Sequence, residues 1–166
     1  MKTNAMQRAD FAAIANWVKP GARVLDLGCG DGTLLAYLNE QRGGAGYGVE
    51  IDDDGILACV KNGVNVIQGD LERGLSGFAD GSFDYVILSQ TLQAVRSSER
   101  VVREMLRVGR EGIVTFPNFG YWGHRFQVLR GHMPVSPTLP YEWYDTPNVR
   151  MFTVRDVEKV LERLSR

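Results

Sequence analysis

The sequence has little of what several large classes of protein require. It holds two cysteines, Cys29 and Cys59, too few for a disulfide framework and without metal-cluster spacing. Neither of its two histidines, His124 and His132, has a metal-like set of neighbours in the sequence, so no metal is assigned. No run of about 18 apolar residues occurs, and the N-terminus lacks the apolar stretch of a signal peptide. No membrane partner is therefore expected, and the expected location is cytoplasmic. The net charge is −1, so no global field gathers nucleic acid or an anionic surface. Internal repeats and low-complexity segments are missing too. What is left is 166 residues, 44% hydrophobic and 23% charged. That composition and length suit one ordinary globular domain, residues 1–166, with a substantial core.

The chain is organised around Arg23-Val24-Leu25-Asp26-Leu27-Gly28-Cys29-Gly30-Asp31-Gly32. Val24, Leu25 and Leu27 make an apolar run suited to a strand buried on both faces. Alternating glycines then let backbone approach a ligand with no Cβ in the way. Leu34, Leu35 and Leu38 follow at helical spacing. Strand, glycine turn and helix form a nucleotide-binding half-site.

The rest of the chain repeats that rhythm. Residues 8–18 read as a helix with Phe11, Ile14, Trp17 and Val18 facing inward. Strands are predicted at 47–50, 64–68, 83–88 and 113–116. Between them, one helix buries Ile56, Leu57 and Val60, with Asp52 or Asp53 as its cap. Another, over 97–108, buries Val101, Val102, Met105 and Leu106. A last helix over 153–164 starts at Thr153 with Asp156 and buries Val154, Val157, Val160, Leu161 and Leu164. Alternating strands and helices call for a parallel α/β sheet covered on both faces, a Rossmann-like three-layer sandwich.

The glycine spacing narrows the ligand. In the dinucleotide pattern G-x-G-x-x-G the third glycine falls at position 33, which is Thr, and no Lys-Ser/Thr pair follows as in a P-loop. Asp26 to Gly32 instead resembles the first motif of the class I S-adenosylmethionine-dependent methyltransferases. The resemblance implies strand order 3-2-1-4-5 and S-adenosylmethionine, or S-adenosylhomocysteine, as cofactor. Asp26 would suit the cofactor's ammonium, and N–H groups of the turn at Gly28, Cys29 and Gly30 its carboxylate. Glu50, at the end of the second strand, suits the two ribose hydroxyls, with Ile51 against the adenine. Asp70 matches the acid that meets the adenine amino group, with the Leu71 N–H beside it. Ser89 and Gln90, after the fourth strand, match the segment lining the methionine tail and methyl group. A solvated acid at Glu50 and a loop cap at Asp70 are the plainer readings of those two residues. The family's Asp/Asn-Pro-Pro-aromatic signature is absent, which argues against nucleobase methylation. Methyl transfer from a sulfonium relies largely on positioning, so a dedicated acid–base pair is optional and no catalytic residue is assigned.

Residues 117–152 differ in character. Nine of the sixteen aromatics lie between Phe116 and Phe152, and five of the six prolines between Pro117 and Pro147. A helix is expected over 121–130, with Trp122, Phe126 and Leu129 on one face. Such a segment should cap the strand ends. It is a lid with His124, Arg125, His132 and Tyr144 as polar contacts, an aromatic interface for another protein, or a cover for the core.

Three strings here are far more specific than the glycine turn: 116–122 (FPNFGYW), 130–134 (RGHMP) and 139–148 (LPYEWYDTPN). They resemble the methionine biosynthesis MetW family, over nearly the whole chain from Arg8. That resemblance implies an accessory or regulatory partnership with a homoserine O-acyltransferase (MetX), with a stand-alone small-molecule methyltransferase as the alternative. Class I methyltransferases add two further strands after the last helix read here, and Arg166 precedes them. A fifth strand left at the edge would need cover, and a homodimer is one way to supply it.

Overall fold

The computed structural model describes residues 5–164, with side chains from Asp10 onward. Five strands form one sheet: β1 (Arg23–Leu27), β2 (Ala45–Glu50), β3 (Asn65–Gln68), β4 (Phe83–Ser89) and β5 (Gly109–Thr115). Their order is β3-β2-β1-β4-β5 and every pairing is parallel, as the glycine-turn motif implied. Six helices connect and flank them: α1 (Ala5–Trp17), α2 (Thr33–Arg42), α3 (Asp53–Lys61), α4 (Ser98–Val108), α5 (Trp122–Leu129) and α6 (Val154–Leu164). Chain termini beyond residues 5 and 164, the end at Arg166 included, lie outside the described residues.

Alternation along the central strands divides the core into two layers. Val24 of β1 and Tyr85 and Ile87 of β4 pack with Ile14, Leu35 and Leu38, beneath α1 and α2. Leu25, Leu27, Val86 and Leu88 face the other way, against Val101, Val102 and Met105 of α4. Five strands between two helical layers make the Rossmann-like three-layer sandwich.

Local signals set the element ends. Asp52 caps α3, its carboxylate accepting the Gly55 N–H at 3.0 Å. Gly43, in the left-handed conformation, ends α2. Thr153 donates its N–H and Oγ1–H to Asp156 at 2.9 and 2.7 Å and starts α6. Helix α1 begins three residues before the predicted start, and β5 begins at Gly109 rather than at residue 113.

Several side chains expected inside are outside. Trp17 is 60% exposed, Leu57 57%, Val60 64% and Leu106 46%. Helix α3 anchors through Cys59 and α4 through Val108 as well as Val101, Val102 and Met105. No residue of α6 is fully buried; Val157 and Leu164 touch the core, while Val154 and Leu161 are 46% and 40% exposed. Among the described residues no strand pairs the outer edge of β5.

Candidate functional site

Parallel strands deliver their carboxyl ends to one edge of the sheet, and the predicted ligand residues sit there. The turn after β1 needs three left-handed residues in five: Gly28, Gly30 and Gly32 have φ of 72°, 56° and 74°. Gly28 has a second reason to be glycine. A Cβ there would lie 2.7 Å from Thr91 Cγ2, because the loop after β4 crosses directly over the turn.

Glu50 is the knot of this edge. Its Oε2 accepts the Gly30 N–H at 2.7 Å, and its Oε1 accepts the N–H groups of Ile51 and Asp52 at 2.8 and 3.0 Å. One carboxylate thus joins the turn after β1 to the turn after β2. Ile51 beside it is 61% exposed, so its apolar face is open.

Asp26 lies under the turn. It is 2% exposed, and its Oδ1 is buried without a hydrogen-bond partner. Burial, and then the charge of nearby Glu50, push its carboxyl up to about 7. A buried carboxyl with an unmet oxygen is costly in the free protein, and a cation placed against it would relieve the cost.

The turn's own N–H groups are arranged differently from the expectation. Gly28 and Cys29 both donate to the Val49 carbonyl, Gly30 to Glu50, Gly32 to the Cys29 carbonyl and Thr33 to Asp31 Oδ1. These donors tighten the turn rather than standing free for an anion. Cys29 is a packing residue: its Sγ lies 3.6 Å from Cys59 Sγ and fills the space that a side chain at Gly48 would need.

Asp70 caps a single 3-10 turn, Leu71–Arg73, accepting the Glu72 N–H at 2.9 Å, and keeps Leu71 beside it. Glu72 in turn accepts the N–H groups of Arg96 and Ser97, holding the start of α4 to this loop. Ser89 meets Thr115 through hydroxyls at 3.2 Å, so the ends of β4 and β5 are tied. Gln90 has φ of +53°, the one non-glycine residue with positive φ among those described. Left-handed backbone at a non-glycine residue marks a position held by its surroundings. Its shortest bonds hold it, Gln90 N–H to the Thr115 carbonyl at 3.0 Å and Gln93 Nε2–H to the Gln90 carbonyl at 2.7 Å, with Thr115 Oγ1 accepting from Gln90 as well. The sequence singled out neither Thr91 nor Gln93, because each is defined by a partner distant in the chain.

The distal segment turns its chemistry inside out. His124, read as a polar contact of a lid, is 3% exposed, and both ring nitrogens are taken, by the Asn118 carbonyl and Ser136 Oγ, each at 3.0 Å. Pro117, Pro134 and Leu139 are buried with it. Trp122, Phe126 and Leu129, on the opposite face of α5, are 72%, 52% and 83% exposed. The far end of the segment returns to the site, where the Val149 and Arg150 N–H groups reach the Gln93 carbonyl. A groove of about 590 Å³ between α4 and α6 has apolar walls including Leu92, Val102 and Phe152, with Arg96 and Arg150 also lining it. No helix among the described residues is long and apolar enough to cross a membrane, and no group of three or more His, Cys, Asp and Glu could hold a metal there.

Comparison with known proteins agrees with this architecture. The family "Methionine biosynthesis protein MetW" matches residues 8–165. The bifunctional methionine biosynthesis protein MetXA/MetW of Rhodopirellula baltica is 41% identical, over 94% of this chain and 27% of its own length. The chain therefore spans about a quarter of that relative. A SAM-dependent methyltransferase from Archaeoglobus fulgidus superposes with a TM-score of 0.73 at 19% identity, covering 96% of this chain and 67% of the other. The [4+2]-cyclase SpnF gives 0.72 at 22% identity, covering 98% and 60%. At such identities these two likenesses concern the fold.

Proposed function

The chain belongs to the MetW family of methionine biosynthesis proteins, and from that premise we propose that it binds S-adenosylmethionine at the β1 turn and acts as an accessory to homoserine O-acyltransferase. The observation that carries the cofactor reading is Asp26. Its buried, unpartnered Oδ1 sits under a turn that Glu50 closes, and a cationic ammonium is the group that such an oxygen lacks.

In this reading Asp26 holds the ammonium, directly or through water. Glu50 takes the ribose hydroxyls with the acceptor capacity its three backbone donors leave. Ile51 lies against the adenine, Asp70 and the Leu71 N–H meet its edge, and Ser89 and Gln90 line the methionine tail. The backbone donors of Gly28, Cys29 and Gly30, being used within the turn, keep it in shape. When bound, the cofactor supplies an electrophilic methyl group on a sulfonium. The chain's own residues position it and keep water away.

The accessory role is supported by the relative from Rhodopirellula baltica, whose name joins MetXA and MetW in one polypeptide. A fused pair is held at high effective concentration, which matters when two modules work together. Purified acyltransferase assayed with and without this protein tests the role: a changed rate supports it, and no change together with no binding at micromolar concentrations contradicts it.

A stand-alone methyltransferase is the second reading. The groove between α4 and α6 favours it, being large enough for a small acceptor and starting at Leu92, two residues beyond Gln90. Transfer of labelled methyl from S-adenosylmethionine into a metabolite extract would support this reading; no transfer into any fraction would remove it.

A further inference from the structure

Helix α5 is amphipathic in the wrong direction. The residue it buries is a histidine, His124. At i, i+4 and i+7 on its outer side stand Trp122, Phe126 and Leu129, all more than half exposed. A helix normally turns its apolar stripe to the core, and this spacing is the one with which a helix is seated in an apolar groove of a partner. Around it Tyr121, Val128 and Met133 are also exposed, at 50%, 56% and 43%. Six large apolar side chains exposed within residues 121–133 are the kind of surface that marks an interaction site.

Charge indicates what the partner looks like. From Gly112 to Tyr141 there are thirty residues and no Asp or Glu, in a chain that has 20 acids among its 166 residues. The same stretch carries Arg125 and Arg130, both exposed. The Arg130 guanidinium lies over the Phe126 ring at 5.1 Å, so the cation is set within the aromatic stripe rather than away from it. Aromatic anchors edged by arginine, on a stretch that itself carries no carboxylate, fit an apolar groove whose rim is acidic.

We propose that α5 is the docking element for homoserine O-acyltransferase, with Trp122, Phe126 and Leu129 inserted in an apolar groove of that enzyme and Arg125 and Arg130 against carboxylates at its rim. The inference rests on the partnership proposed above and adds the surface to it. Trp and Arg are the residues that dominate interfaces when they are placed in this way. None of the three apolar anchors belongs to the chain's buried core, so Trp122→Ala and Leu129→Ala are expected to leave the fold intact.

The test is a titration of purified homoserine O-acyltransferase from the same organism with four forms of the chain: wild type, Trp122→Ala/Leu129→Ala, Arg125→Glu/Arg130→Glu, and Leu57→Ala as a control at an exposed apolar residue of α3. Thermal unfolding of each form runs alongside and is expected to be unchanged. The proposal predicts that both α5 variants bind about thirtyfold or more weakly, that the control binds like wild type, and that added salt weakens wild-type binding. Equal binding by wild type and the α5 variants overturns the surface and leaves the partnership standing. Failure of wild type to bind removes the partnership and this inference together. Self-association of the wild-type chain that the α5 variants abolish, with acyltransferase binding unaltered, assigns the stripe to a second copy and also overturns the proposal.

Discussion

Glu50 Oε2 accepts the Gly30 N–H at 2.7 Å, while the same carboxylate's Oε1 accepts two N–H groups of the next turn. An amide in its place has one acceptor oxygen, so at least one of the three part-buried donors would face an NH₂ group. Glu50→Gln is expected to cost about 1–3 kcal/mol. In a chain of this size each kcal/mol lowers the melting temperature by roughly 2–4 °C. Calorimetry should also show weaker S-adenosylmethionine binding. An unchanged melting temperature would mean that the three bonds do not hold the two turns together.

The glycines of the turn should separate folding from binding. At Gly28 the backbone is left-handed and an added methyl would collide with Thr91, so Gly28→Ala should lose at least about 2 kcal/mol. Gly30 is also left-handed but has open space around it. Gly30→Ala should cost about 1 kcal/mol and fold, yet bind the cofactor poorly if, as proposed, the cofactor fills the open space that the methyl would enter. Unfolding curves and calorimetry on the two variants decide this; equal loss of stability in both would contradict it.

Asp26 makes a pH prediction with a definite sign. Its carboxyl is pushed up to about 7 in the folded chain, first by burial and then by Glu50, against about 4 when unfolded. Between those values the folded chain holds a proton that the unfolded chain has lost. Stability therefore falls as pH rises from about 4 to 7, by up to about 4 kcal/mol, and is level above. Asp26→Asn should remove that slope. If an ammonium binds against this carboxyl, binding near pH 6 should release close to one proton, measured as the dependence of calorimetric heat on buffer ionisation. The Asn variant should release none.

The two cysteines should be silent. Cys29 and Cys59 are 8% and 0% exposed. Burial, followed for Cys29 by the charge of Asp26, raises both thiols above the ordinary range. A disulfide reagent at pH 7.5 should react only as the chain unfolds, and with both thiols in denaturant. Immediate reaction of the native chain would show an open β1 turn.

The sheet was readable from the sequence because its signals are local: a buried run, a glycine turn and a leucine stripe recur within about ten residues. Glu50 was found by its place at the end of the second strand, yet its role as the clasp of Gly30 depends on two strands lying side by side. Periodicity identifies an apolar face but not what covers it. Leu57, Val60 and Leu106 lie on helical stripes wider than the surface their helices cover, and they end in solvent. In α6 the stripe is only half matched by the core. Helix α5 reverses the rule, so a pattern that correctly marked Trp122, Phe126 and Leu129 as one face said nothing about which way that face points. Thr91, Gln93 and Cys59 each meet a partner far along the chain (Gly28, Val149 with Arg150, and Cys29), and no motif names them.

The central claim is that the turn after β1 holds S-adenosylmethionine, and its most direct test is a calorimetric titration of the folded chain with that compound. The account predicts saturable binding of one molecule per chain, retained with S-adenosylhomocysteine and lost in Gly30→Ala. Absence of saturable heat from a wild-type chain shown to be folded, or undiminished binding by the Gly30→Ala variant, would contradict it.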